Sequence, residues 1–270
     1  MTLDIYQVDA FTSEIFKGNP AAVVPLKEWL PDAVMQQIAM ENNVAETAFF
    51  VPLYPGIKGD GADYHIRWFT PSIEIDLCGH ATVATAFVIS TILETEETEI
   101  IFSTQTAGNL VVEVKEDWYL LNFPARMPQQ VEVPEMLYKA LDGTKPVEVL
   151  KSRDYFVVLE NEAAVKNVQP DFALLKQLDG TGLIVTAKGD SADAVSRCFF
   201  PKAGIDEDPV TGSAHCSVVP YWSAKFNKTA LVCLQVSARG GELVCEHRGE
   251  RVILGGKAVL YLKGEIYLAD

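Results

Sequence analysis

The sequence is poor in positive charge. It has 22 Lys and Arg against 37 Asp and Glu in 270 residues, a net charge of −15. Nucleic acid needs a basic face to meet its phosphates, so the balance argues against a nucleic-acid partner. An anionic membrane surface is disfavoured for the same reason. A local cluster of N–H donors can still hold an anionic metabolite against the global field. Cysteine is also sparse: Cys78, Cys198, Cys216, Cys233 and Cys245 are odd in number, and no C-x-x-C occurs. That argues against a disulfide framework or a structural zinc site, and buried packing is the expected role. No apolar run reaches the ~18–20 residues needed to cross a bilayer. The stretch "MTLDIYQVDAFTSEIF" has no basic start, so it does not read as a signal peptide and a cytoplasmic address is expected. The sequence shows no G-x-G-x-x-G, no phosphate-cradling glycine loop and no metal-ligand cluster, so chemistry without cofactor or metal is expected. What remains is 49% hydrophobic and 22% charged, the composition of a soluble globular enzyme with one large domain or two smaller ones.

The chain repeats itself. "RWFTPSIEIDLCGHA" (67–81) aligns with "RCFFPKAGIDEDPVTGSA" (197–214). Arg67, Phe69, Pro71 and Ile75-Asp76 match Arg197, Phe199, Pro201 and Ile205-Asp206 at one offset. An insertion placed after Ile205-Asp206 then aligns Gly79, His80 and Ala81 with Gly212, Ser213 and Ala214. Downstream, "AGNLVVEV" (107–114) lies on "GGELVCEH" (240–247), and upstream "PDAVMQQIA" (31–39) lies on "PDFALLKQL" (170–178). Matches in one order predict two copies of one unit. Each copy reads as strand, Pro-started helix, two strands, buried helix and hairpin strands. The three-proline segment "PARMPQQVEVP" (124–134) is the expected linker, with the boundary near 115–130.

Both copies place glycine and a polar residue before an apolar stretch, "GHATVATAFVIST" and "GSAHCSVVPYWSA". A helix apolar all round belongs inside a domain. Its first N–H groups lack partners and carry the positive end of the helix dipole, and glycine there lets a ligand approach. The pair predicts two anion sites suited to a carboxylate-bearing metabolite. The plainer alternative is that Asp76 and Asp208 merely cap these helices.

Four segments, "DAFTSEIFKGNPAAVV" (9–24), "NNVAETAFF" (42–50), "DLCGHATVATAF" (76–87) and "DEDPVTGSAH" (206–215), resemble the PhzF-like family, named for the phenazine-biosynthesis isomerase, within the diaminopimelate epimerase superfamily. The resemblance implies an α+β fold of two pseudo-symmetric lobes, each a barrel-like sheet around a central helix (the diaminopimelate epimerase-like fold), with the active site in the cleft between them. The expected division is 1–117 and 118–263, with the closing 264–270 returning to the first lobe. By position the resemblance assigns catalytic roles to Glu46, His80, Asp208 and Ser213. It assigns substrate contacts to Asn19, Cys78, Gly79, Thr211 and Gly212. The implied activity is cofactor-independent isomerisation of a small anionic carboxylate; a homodimer is left open.

A proton moved along a carbon skeleton must be removed at one carbon and delivered at another, and one partly desolvated carboxylate can do both. Glu46 precedes apolar "TAFF", so partial burial is expected. Epimerases and racemases of the superfamily set two cysteines as opposed bases. Here those positions carry Cys78 and Thr211, and a hydroxyl is a poor base at neutral pH. Cys78 is therefore expected to pack inertly. An epimerase, racemase or dehydratase that uses Cys78 remains an alternative, as does a non-catalytic binding protein. His215 and Cys216 read as core, His65 as strand surface or packing, and His247 as solvated.

Overall fold

The computed structural model describes residues 1–53, 61–93 and 97–268. Two compact units form: Met1–Asn122 with Gly255–Asp270, and Phe123–Leu254. Among the described residues no helix is long and apolar enough to cross a membrane.

The first unit opens with β1 (Thr2–Ala10), β2 (Asn19–Pro25), α1 (Asp32–Asn42) and β3 (Glu46–Pro52). β4 (Tyr64–Phe69), β5 (Glu74–Ile75), α2 (Gly79–Phe87), β6 (Glu99–Ser103), β7 (Leu110–Lys115) and β8 (Trp118–Pro124) follow. β3 reads "ETAFFVP" without alternation and is buried from Glu46 to Val51. It sits parallel to β2 and antiparallel to β4, which suits a strand covered on both faces. α2 is buried from His80 to Ala86 and packs against β1, β2 and β3, as a helix without a polar face must. The strand Ala258–Tyr267 pairs antiparallel with β1 from Thr2↔Tyr267 to Ala10↔Ala258. Ala269 and Asp270, the end of the segment expected to return here, lie outside the described residues.

The second unit contains β9 (Gln129–Gln130), α3 (Glu135–Ala140), β10 (Glu148–Lys151), β11 (Tyr155–Val158), α4 (Glu162–Asn167) and α5 (Phe172–Leu175). It continues with β12 (Leu183–Lys188), β13 (Ala194–Phe200), β14 (Ile205–Asp208), α6 (Gly212–Phe226), β15 (Ala230–Gln235), β16 (Gly241–Arg248) and β17 (Arg251–Gly256). The pairings repeat those of the first unit. β11 is parallel to β12 as β2 is to β3. β12–β13 and β13–β14 are antiparallel as β3–β4 and β4–β5 are. β13 runs parallel to β15 as β4 does to β6, and β15–β16 mirrors β6–β7. Pro220 lies inside α6 and cannot donate to the Cys216 carbonyl one turn back. That carbonyl instead accepts the Arg126 N–H at 2.7 Å, so a polar group inside the lobe is not stranded.

The register corrects the expected alignment at one place. Phe69 pairs with Glu74 and Trp68 with Ile75, whereas Cys198 pairs with Asp208. The longer second copy therefore places its insertion in the β13–β14 turn, where Pro201–Ala203 forms a 3₁₀ turn closed by Gly204 at φ 81°. Glu207 thus occupies the place of Glu74. Arg67 forks onto Glu74 through Nε and Nη2, each at 2.7 Å. Arg197 forks onto Glu207 at 2.7 and 2.9 Å. Each guanidinium also lies over a phenylalanine, Phe69 or Phe199. Ile75-Asp76 and Ile205-Asp206 look alike in sequence but are not structural equivalents. The second Pro-started helix is also shorter than its sequence suggests: α5 is a single turn, capped by Asp171 on the Ala173 and Leu174 N–H groups.

Candidate active site

Parallel pairing puts the N-terminal ends of β2 and β3 at the same end of the first unit's sheet, with Ala21 opposite Glu46. Asn19 begins β2, Glu46 begins β3 and His80 is the second residue of α2. All three side chains meet there. Glu46 Oε2 lies 2.9 Å from His80 Nε2. Asn19 Nδ2 lies 3.3 Å from His80 Nδ1. Cys78 is the N-cap residue of α2, with Sγ 3.5 Å from Nδ1 and 4.0 Å from Nε2. Asn19 is fully buried and Glu46, Cys78 and His80 are each at most 7% exposed. The carboxylate is thus drier than the partial burial its sequence context suggests.

Burial opposes charge on the His80 ring, but Cys78 and Glu46 beside it overcome that and hold the imidazole well above the usual histidine range. The Cys78 thiol is itself pushed up by burial and by Glu46. It is therefore a neutral neighbour, and the carboxylate at 2.9 Å supplies the pull on the ring. With Asn19 donating to Nδ1, the proton of a neutral ring sits on Nε2, toward Glu46. A doubly protonated ring is accommodated by a half-turn of the Asn19 amide, which presents its carbonyl instead.

The first helical bond of α2 is Thr82 N–H to Cys78 O at 3.1 Å. The N–H groups of Gly79 and His80 precede it, at the positive end of the helix. Asp76 is exposed, and no side chain caps α2; the capping alternative does not hold for Asp76.

The second unit carries a corresponding cluster with different chemistry. Thr211 is the N-cap residue of α6, as Cys78 is of α2. Its hydroxyl donates to Asp208 Oδ2 at 2.6 Å and accepts from Gln235 Nε2 at 3.1 Å. Gln235, 1% exposed, also accepts the Thr211 N–H at 2.8 Å and donates to the Asp208 carbonyl at 2.6 Å. Asp208 therefore holds the cap residue rather than the helix N–H groups. Ser213, which takes the place of His80, accepts from Arg153 Nη2 at 3.1 Å. Arg153 in turn donates to Asp154, a carboxylate 2% exposed that also accepts from the Thr181 hydroxyl. Where the first unit sets a titratable pair, the second sets a fixed cation beside a helix head.

Arg153 and Gln235 were not among the expected residues. Neither lies in a recognisable motif: Gln235 ends a strand, and Arg153 sits in a turn among common residues. Only the fold joins them to Thr211 and Ser213. The other histidines divide. His215 is fully buried, Nδ1 donates to the Thr211 carbonyl at 2.8 Å, and burial lowers it to about 4, so it is a neutral core residue. His65 packs edge-on to Trp29. His247 is not solvated as expected but half-buried, between Ser223 Oγ at 3.2 Å and the Gly249 carbonyl at 2.9 Å.

The two units thus repeat one α+β pattern of strand pairings, and the first buries a Glu–His pair at the head of its central helix. A family profile described as phenazine biosynthesis-like protein, PhzC-PhzF, matches residues 8–264. The chain belongs to this family. An uncharacterised isomerase of Pseudomonas aeruginosa is 48% identical over 268 residues, covering 99% of this chain and all of that one. The crystal structure of a PhzF-family protein from Enterococcus faecalis is 52% identical, with a TM-score of 0.93 over 99% of this chain and all of that one. A hydroxyproline epimerase from Agrobacterium vitis, 11% identical with a TM-score of 0.61, covers all of this chain and 93% of its own; at that distance the likeness is one of fold alone. The protein is an enzyme of the isomerase class.

Proposed function

We propose that the enzyme moves a proton between two carbons of a small carboxylate-bearing metabolite, with Glu46 as the acid/base and no cofactor. The observation that carries this reading is the 2.9 Å approach of Glu46 Oε2 to His80 Nε2 inside a site where both side chains are at least nine-tenths buried. Glu46 takes a proton from an acidic carbon. The electron pair left behind spreads into the adjoining unsaturated or carboxylate group, and the same proton returns at a second carbon. His80, held on its far side by Asn19, orients the carboxylate and stabilises it between the two transfers. The N–H groups at the head of α2 are the donors for one substrate oxygen. Within the second unit, the N–H groups at the head of α6, with Ser213 and Arg153, form an anion position of their own, and Asp208 with Thr211 and Gln235 keeps that helix head in place.

Cys78 stands beside His80, which keeps inversion by a single thiol as a second reading. Against it, Thr211, the counterpart of Cys78 in the second unit, carries a hydroxyl already donating to Asp208, and the Cys78 thiol is pushed toward its protonated form. The test is solvent deuterium incorporation by a panel of small carboxylates, read by mass spectrometry. Glu46→Gln keeps the shape of the side chain but accepts no proton. Once a substrate is found, exchange in Glu46→Gln should fall by about 10²-fold or more, the scale for losing a positioned acid/base. Exchange at the wild-type rate removes Glu46 from the role. Exchange lost instead in Cys78→Ala, with inversion at one carbon, establishes the thiol mechanism.

A further inference from the structure

No metal-ligand spacing is visible in the sequence, yet the fold gathers one nitrogen, one sulfur and one oxygen ligand. Glu46, Cys78 and His80 each present one ligand atom within 4.8 Å of the others, and all three are buried. Among the described residues no other three His, Cys, Asp or Glu side chains converge this way. Zinc bonds of about 2.0–2.3 Å to these atom types set tetrahedral ligand atoms roughly 3.3–3.8 Å apart. With Nε2 as the ring ligand, the thiol stands 4.0 Å and Glu46 Oε2 2.9 Å from it, so side-chain shifts of a few tenths of an ångström bring the three atoms to that spacing. Glu46 Oε2 is fully buried, and the group facing it is His80 Nε2 at 2.9 Å. A divalent cation held by the same three side chains can replace the ring proton as the positive charge beside that oxygen.

We propose that a soft divalent cation of the zinc or cadmium type binds at Glu46, Cys78 and His80 when substrate is absent, and that it silences the enzyme by occupying the proton-transfer pair. Binding forms a metal–thiolate bond and releases two protons to solvent, one from the thiol and one from the doubly protonated His80 ring. One ring nitrogen of His80 and one oxygen of Glu46 donate lone pairs, and no electron transfer is involved. Sulfur with imidazole selects zinc and cadmium over magnesium or calcium, which prefer oxygen alone. The fourth position stays open to water. The binding stands on the three side chains alone, whereas the silencing rests on Glu46 and His80 being the proton-transfer pair.

The test uses the full-length, reduced, metal-free protein titrated with cadmium while the ultraviolet thiolate-to-cadmium charge-transfer band is recorded. The expected result is a band saturating at one cadmium per chain, absent in Cys78→Ala. In His80→Asn and Glu46→Gln the band should need at least about tenfold more metal, because each removes one ligand of three. No band in the wild type, or the same band in Cys78→Ala, overturns the site. If Cys78→Ala does not fold, wild-type protein is alkylated with iodoacetamide with and without zinc, and Cys78 is read by peptide mass spectrometry. Protection of Cys78 by zinc supports the site and labelling unaffected by zinc overturns it. A saturated band with undiminished solvent exchange keeps the metal site and instead removes Glu46 and His80 from catalysis.

Discussion

Replacing Glu46 by Gln should change the proton affinity of His80 before any substrate is known. In the wild type, burial lowers the ring's affinity for a second proton and its neighbours raise it, and the balance lies well above the usual histidine range. The 2.9 Å contact between Nε2 and Oε2 corresponds to charge centres roughly 4 Å apart. At an effective dielectric constant near 20 that attraction is about 4 kcal/mol. Glutamine removes the charge and leaves the burial. The His80 titration should therefore fall, because burial alone lowers the ring's proton affinity. The assay is ¹⁵N NMR of the imidazole nitrogens across a pH series, with His80→Asn to assign the resonance among the four histidines. The sign for stability follows from linkage. A histidine whose folded affinity is raised contributes stability that is complete below its unfolded value and is lost as pH rises through its folded value. Wild type should thus lose stability over the alkaline limb of the His80 titration, and Glu46→Gln should lack that limb. A His80 titration that is unmoved in Glu46→Gln would refute the inference that the carboxylate holds the proton on the ring.

Three further perturbations test separate parts of the structure. Cys78→Ala should leave solvent exchange within several-fold of wild type, because a thiol pushed up by burial and by Glu46 carries little thiolate; a loss of about 10²-fold would make it a base. Gln235→Leu strips the Thr211 N–H and hydroxyl and the Asp208 carbonyl of one shared partner. Each buried group left unsatisfied costs about 1–3 kcal/mol, so denaturant unfolding should show a clear loss with helix content unchanged near neutral pH. Gly182→Ala drives a methyl group into the Phe200 ring and the Phe199 carbonyl. It should cost about 1–3 kcal/mol, as overpacking does, whereas alanine at Gly61 meets nothing among the described residues and strains its backbone at φ 81°.

The duplication was legible in sequence because it is written in residues that pack or fork. Arg67 with Phe69 and Arg197 with Phe199 recur as stacked guanidinium–ring pairs, and the glycines at the heads of α2 and α6 mark where the two buried helices start. The insertion was misplaced because Ile-Asp occurs in both copies. Sequence identity cannot weigh two chance matches against a strand register, whereas the pairing of Cys198 with Asp208 can. Glu46, His80 and Asn19 were reached through motifs, but their convergence depends on parallel pairing of β2 and β3, which no local pattern encodes. Arg153 escaped for the opposite reason. A lone arginine in a turn is ordinary on any surface, and only the buried Asp154 beneath it and Ser213 beside it give it a direction. Glu74 and Glu207 likewise look like surface acids until the register places each against its arginine.

The pairing of β1 with Ala258–Tyr267 over its whole length has a consequence in time. A chain emerging from the ribosome offers β1 its neighbour β2 almost at once, but the strand that covers its other edge is made some 250 residues later. At about 5–20 residues per second, β1 waits roughly ten to fifty seconds with one row of backbone amides unclaimed. The second unit, Phe123–Leu254, is contiguous and has all its strands before that delay ends. It can reach its native state first, and the lobe whose residues appear earliest is the one completed last. During that interval the open edge of β1 is the segment most exposed to wrong pairing, and Glu46 and His80 belong to a lobe that has not yet closed.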